Sequence, residues 1–178
     1  MQLMSAKYLL IGPMGAGKST VGAALAKQLE LPFADTDSLI EADQNKKVSD
    51  IFIEDGESHF RLVEESIVID ALRDCDGVLA LGGGAITSAL TRAAIKASSA
   101  SKIFLDISIT AVSPRVGFDG ARPLLMVNPR QKWLELMEAR RSIYEDLADL
   151  KIDVSQLPVS EVVGMIINSF SKKADSKP

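Results

Sequence analysis

Residues 12–19 read Gly-Pro-Met-Gly-Ala-Gly-Lys-Ser, a glycine, four residues, then Gly-Lys-Ser. That spacing lets backbone N–H groups turn inward onto phosphate oxygens, with Gly15, Ala16 and Gly17 forming the cradle. The helix that follows adds its N-terminal dipole. Lys18 then reaches the β- and γ-phosphates of a nucleoside triphosphate, and the Ser19 hydroxyl, beside Thr20, faces the accompanying cation. A second pair, Asp35 and Asp37, brackets Thr36 at the end of a short apolar segment. Read as strand, alternation puts both carboxylates on one side, Asp35 towards the metal's water shell and Asp37 towards a substrate hydroxyl. The alternative is helix capping, with Thr36 or Asp37 as N-cap for residues 38–42. Arginines form the third group. Arg115, Arg122, Arg130, Lys132, Arg140 and Arg141 outnumber Asp119, Glu135 and Glu138, so an acidic chain carries a locally basic arm. Such an arm suits stabilisation of a transferred phosphoryl group. Arg61 has a competing reading as a helix-spaced partner of Glu64 or Glu65, and Arg140 as part of a solvated face. Arg122, before Pro123 in a glycine-rich loop, favours a functional role.

These residues need a scaffold that brings them together. Tyr8–Ile11 reads as a buried strand, Lys18–Glu30 as a helix with Val21, Leu25 and Leu29 on one face, and Phe33–Asp35 as a second strand. Ser49–Phe52 and Phe60–Leu72 are helical, Val78–Leu81 is a strand stopping at Gly82-Gly83-Gly84, and Ser88–Ala97 is helical. Ile103–Ile107 is a strand, Pro129–Leu147 a long helix, Lys151–Val154 a last strand and Val159–Phe170 a last helix, with a polar tail over 171–178. Residues 114–129 show no clean periodicity and read as a long functional loop. Five strands alternating with helices predict one α/β domain over 1–170, a parallel sheet covered on both faces. Ligands on such sheets bind at the carboxyl ends of the strands. The glycine loop, Asp35-Thr36-Asp37 and the triple glycine all sit at such ends.

Composition narrows the function. With 20 Lys and Arg against 24 Asp and Glu, the net charge is −4, a poor match for nucleic acid. One cysteine and one histidine exclude an intrachain disulfide and disfavour a zinc site. The first apolar run, Tyr8–Ile11, is too short for a signal core or a membrane span. A cytoplasmic monomer with no membrane partner is the expectation.

Taken in order, the blocks at 12–20, Asp35-Thr36-Asp37, Phe60-Arg61 with Glu64 and Glu65, Leu81-Gly82-Gly83-Gly84-Ala85, Arg122-Pro123-Leu124-Leu125, and Arg140 four residues before Tyr144 resemble shikimate kinase. The first block is generic; the ordered set is specific. The resemblance extends to about Phe170. It implies a P-loop kinase-like three-layer α/β/α fold, with a lid over about 114–126 and a substrate-binding helical segment. It implies transfer of the ATP γ-phosphoryl to the 3-hydroxyl of shikimate. Ser19 and Asp35 would serve Mg²⁺, and Asp37 would bind the shikimate hydroxyls as candidate base. Arg61 and Arg140 would hold the shikimate carboxylate, while Gly82, Gly83 and Gly84 line the ring pocket. Arg122 would reach the nucleotide phosphates from the lid, and Arg115 would stack on adenine. Ser142 stands where the family often has proline, and no arginine occurs near Gln156, where some relatives place one beside adenine. Related readings are a gluconate or nucleoside monophosphate kinase, which share the first block, or an idle nucleotide-binding module, which intact Lys18, Ser19, Asp35, Asp37 and Arg122 disfavour.

Overall fold

Short runs of three to six residues, apolar at their centres, fold here as strands, the central ones buried on both faces and the two at the edges partly exposed. The computed structural model describes residues 7–115 and 128–174. Among these, β1 (Tyr8–Ile11), β2 (Phe33–Asp35), β3 (Val78–Ala80), β4 (Ser101–Asp106) and β5 (Leu150–Asp153) form a sheet in the order β2-β3-β1-β4-β5. Every pairing is parallel. The helices are α1 (Lys18–Leu29), α2 (Thr36–Gln44), α3 (Val48–Glu54), α4 (Glu57–Asp74), α5 (Ala89–Ala97), α6 (Ile109–Val112), α7 (Pro129–Leu147) and α8 (Val159–Ala174). A 3₁₀ turn covers Ala85–Thr87.

The main core runs through the sheet, with Leu9, Leu10, Leu79, Ile103, Phe104 and Leu105 fully buried. Helices cover it, α1 packing beside α8, and α7 beside α5 and β4. Ile40, Ile51 and Phe60 form a second, smaller core that joins α2, α3 and α4. It gives α2–α4 a packing centre of their own, next to the sheet rim.

The strand order places the chemistry. β1 pairs with β3 on one side and β4 on the other, so the chain's direction of winding reverses at β1 and opens a crevice there. The loop leaving β1 fills that crevice. β3 lies between β1 and β2, so its outgoing glycine loop passes between the loop after β1 and the acidic pair after β2.

Four local expectations change. β2 ends at Asp35 and α2 starts at Thr36, so Asp37 belongs to a first helical turn and not to an alternating strand. The N-cap is Asp35, not Thr36 or Asp37: its Oδ1 accepts the Asp37 N–H at 2.9 Å. Thr36 is fully buried, and its Oγ1 accepts the Gly82 N–H at 2.9 Å. α8 continues through residues 171–174, read from composition as tail, because Ser-Lys-Lys-Ala does not oppose a helix already under way. The short α6, capped by the Ser108 hydroxyl, had no periodic signal because it is only four residues long.

Candidate active site

The loop after β1 adopts the backbone that its glycines permit. Gly12, Gly15 and Gly17 have φ of 145°, 82° and 86°, a region costly for other residues. At Gly12 a Cβ would also lie 2.5 Å from the Leu105 carbonyl oxygen. Lys18, first residue of α1, folds back over the loop and donates from Nζ to the carbonyls of Gly12 (2.8 Å) and Pro13 (2.9 Å). The first turn of α1 carries no acidic residue, leaving its positive dipole end available to an anion.

One cleft of about 700 Å³ joins the two sides of the site. The whole loop from Met14 to Thr20 lines it, together with Asp35, Asp37, Gly82 and Gly83. Glu41, Val48 and Phe52 line it from α2 and α3; Arg115, Val154, Leu157 and Val159 line it from beyond α6 and β5. Arg122 and residues 116–127 of the expected lid lie outside the described residues.

Asp35 divides its two oxygens. Oδ1 caps α2, as above, while Oδ2 accepts the Ser19 hydroxyl. One carboxylate thus ties the head of α2 to the first turn of α1. Asp37 is the second residue of α2, its carboxylate directed at Gly82: a Cβ built on Gly82 would lie 2.8 Å from Asp37 Oδ1 and 2.8 Å from Glu64 Oε1.

The arginines are held by buried partners. Arg61 Nη1 donates to Glu64 Oε2 at 2.6 Å and Nη2 lies 3.3 Å from Glu57 Oε1. The helix-spaced pairing considered from sequence is real, but Glu64 is only 3% exposed, so this is no ordinary surface pair. Burial raises the Glu64 carboxyl above its usual range, Arg61 opposes that rise, and nearby Asp37 reinforces it. Arg140 is 8% exposed, so it is not on a solvated face. Beside it, burial pushes the Tyr144 hydroxyl up to about 12 against the pull of Arg140. The phenol therefore stays protonated and donates to the Gly83 carbonyl at 2.5 Å. On the same helix the Trp133 indole N–H donates to the Met14 carbonyl at 3.0 Å.

A family model for shikimate kinase matches residues 14–171. The chain belongs to the shikimate kinase family. The shikimate kinase of Streptomyces coelicolor is 43% identical over 171 residues, covering 96% of this chain and 99% of that protein. That of Streptomyces avermitilis is 41% identical over 167 residues, covering 94% and 96%. A shikimate kinase from Acinetobacter baumannii, solved in complex with shikimate, superposes with a TM-score of 0.90 at 33% identity, over 96% of this chain and 94% of that one. A gluconokinase from Sinorhizobium meliloti superposes with a TM-score of 0.61 at 18% identity, over 98% and 96%, a likeness of fold alone. The family makes this an ATP-using phosphotransferase that phosphorylates shikimate on the route to aromatic amino acids, within a class of kinases that generally need a divalent metal.

In this shikimate kinase family member the triple glycine has a steric origin. None of Gly82, Gly83 and Gly84 has positive φ, so backbone freedom does not require them. Each instead meets a different neighbour: Asp37 and Glu64 at Gly82, the Met14 N–H at Gly83 (3.3 Å), and the Arg61 guanidinium at Gly84, with Nη2 at 2.5 Å. Gly82 and Gly83 line the cleft, whereas Gly84 lies under Arg61 outside it. Gly84→Ala should therefore displace Arg61 and raise the KM for shikimate on the order of tenfold, with the KM for ATP unchanged; steady-state kinetics in both substrates checks this. Trp133 and Tyr144 had no assigned role from sequence, and Thr36 was read only as an alternative N-cap. Only for Tyr144, four residues after Arg140 and so on the same helical face, did the spacing hold a usable signal.

Proposed function

We propose that the cleft transfers the γ-phosphoryl group of ATP to the 3-hydroxyl of shikimate, giving shikimate 3-phosphate. The observation that carries this reading is the shared cleft: the phosphate loop, Asp37, Gly82 and Gly83 line one cavity. A donor phosphate on Lys18 and an acceptor hydroxyl on Asp37 can then meet in line, with water displaced by the two substrates.

Each chain group has a task. Backbone N–H groups of Gly15, Ala16, Gly17 and Lys18 bind phosphate oxygens, with the Ser19 and Thr20 amides at the head of α1 continuing the cradle. Lys18 leaves the Gly12 and Pro13 carbonyls and follows the charge that develops on the transferred group. Asp37 orients the 3-hydroxyl and accepts its proton as the O–P bond forms, while the β–γ bridging oxygen leaves with ADP. Arg61 and Arg140 hold the shikimate carboxylate, with Gly82 and Gly83 giving the ring room and Gly84 leaving space for the Arg61 guanidinium. Arg122 approaches the phosphates from the segment 114–126, and Arg115 stacks on adenine.

Among the described residues no group of three or more His, Cys, Asp or Glu could hold a metal ion. Mg²⁺ keeps several waters and takes phosphate oxygens besides one or two protein ligands. The converging oxygens of Ser19 and Asp35 are the hard donors it prefers. Bound there, Mg²⁺ would neutralise charge on the β- and γ-phosphates.

We read residues 1–170 as one kinase domain acting as a cytoplasmic monomer. A single cysteine suits a reducing compartment. Among the described residues no helix is long and apolar enough to cross a membrane, and the acidic charge balance supports no nucleic-acid partner.

A coupled ADP-release assay with shikimate, gluconate and AMP side by side tests the reaction. Turnover with shikimate alone is expected; its absence would overturn the reading. Arg140→Lys keeps the charge but loses the planar fork. It should raise the KM for shikimate roughly tenfold or more and leave the KM for ATP nearly intact. Equal losses for both substrates would mean that Arg140 does not serve the acceptor.

A further inference from the structure

A phosphate loop that turns its N–H groups inward turns its carbonyls outward, and each buried carbonyl then needs a donor. Gly12 and Pro13 are served by Lys18, which phosphate draws away. Pro13 also accepts the Ala16 N–H at 3.3 Å, inside the loop. For Met14 the donor comes from a different element 119 residues away, the Trp133 indole on α7. Trp133 is 3% exposed, and the space left between Met14, Trp133 and Arg140 amounts to only about 10 Å³, roughly the room of one water. On the N-terminal side of Met14 the backbone faces Gly83, whose absent Cβ would stand 3.3 Å from the Met14 nitrogen. The Gly83 carbonyl is in turn held by Tyr144, also on α7. Of the two peptides flanking Met14, one is thus held by an indole donor and the other rests against a glycine loop fastened to the same helix.

We infer that Trp133 is a positioning residue for nucleotide binding, fixing the Met14 carbonyl outward so that the following N–H groups face the phosphates. It touches no substrate; it acts through the loop. The helix that carries Arg140 for the acceptor carries Trp133 for the donor. The inference rests on the proposed nucleotide role of the loop.

The chain holds one tryptophan, which permits a one-atom test. Growth of a tryptophan auxotroph on benzothienylalanine replaces the indole N–H by sulfur at residue 133 alone and preserves the ring shape. Trp133→Phe is the genetic counterpart. Calorimetric titration with MgADP, KM values for ATP and shikimate, and Tm are measured on each. Loss of a neutral hydrogen bond to a loop carbonyl should weaken MgADP binding about three- to tenfold and raise the KM for ATP in step. The KM for shikimate should stay within about twofold and Tm should barely move in the analogue-containing protein. Unchanged MgADP affinity in that protein would overturn the inference. So would equal weakening towards both substrates with a lowered Tm, the mark of a packing role only. Failure of the kinase reading itself would show separately, as no shikimate-dependent turnover by the unsubstituted enzyme.

Discussion

Lys18→Ala should lower kcat/KM for ATP by about 10³-fold or more, with loss chiefly in kcat. Lys18 begins α1 at the mouth of a loop whose other phosphate-binding groups are backbone amides. The ammonium already lies over the loop, 2.8 Å from the Gly12 carbonyl and 2.9 Å from that of Pro13. A phosphate entering the cradle offers it full negative charge in place of two carbonyl dipoles. As the γ-phosphoryl group moves, that charge redistributes, and a fixed cation within reach stabilises the transition state more than the ground state. Lys18→Met separates charge from the packing of the aliphatic stem and should be as inactive as the alanine variant. Both should melt near the parent Tm, because the backbone of the loop is set by its glycines and by contacts from β4 and α7. ADP release measured with shikimate and ATP both saturating gives the answer. Turnover within tenfold of the parent would remove Lys18 from the catalytic assignment.

Asp37→Asn should lower kcat by roughly 10²–10⁴, the range for loss of a general base. The substitution is nearly isosteric. The backbone N–H of residue 37 still reaches Asp35 Oδ1, so the cap of α2 survives. What disappears is a negative charge and a proton acceptor at the cleft wall, beside Gly82 and Glu64. Removing that charge also relieves its push on Glu64, so the Glu64 carboxyl should titrate lower in the variant. This partner should not rescue catalysis, because Glu64 Oε2 is engaged by Arg61. If Asp37 takes the proton, the variant loses the acidic limb of its kcat profile along with its rate. If Asp37 only orients the hydroxyl, kcat falls less than tenfold while the KM for shikimate rises. The second pattern would sink the general-base role. A kcat–pH series over the acidic range, on parent and variant, separates the two.

Much of the donor side was legible because its determinants are contiguous. Eight successive residues specify the phosphate loop, and a strand before and a helix after confirm it. The acceptor side was less legible. The pairing of Arg61 with Glu64 was visible as helix spacing, but its burial was not, and burial is what turns a weak surface pair into a guarded charge. Arg140 looked as much like a solvated residue as a buried one, since the adjacent Arg141 does face outward to Asp106 at 2.7 Å. Asp35 and Asp37 were read by strand alternation. Their proximity was right for another reason: the chain turns into a helix between them, and one caps the other.

By itself, then, the sequence determined a glycine-rich loop over residues 12–19 with the spacing that phosphate binding asks for, on a strand–helix alternation that makes a parallel sheet. Both follow from local spacing. Tertiary structure alone decided how the rest converges. The Gly82 N–H meets Thr36 across 46 residues, the Tyr144 hydroxyl meets the Gly83 carbonyl across 61, and the Trp133 indole meets Met14 across 119. Contacts of such separation leave no periodic trace in the chain. They come into being because β3 packs between β1 and β2 and α7 lies across the glycine loops, which only the folded sheet arranges.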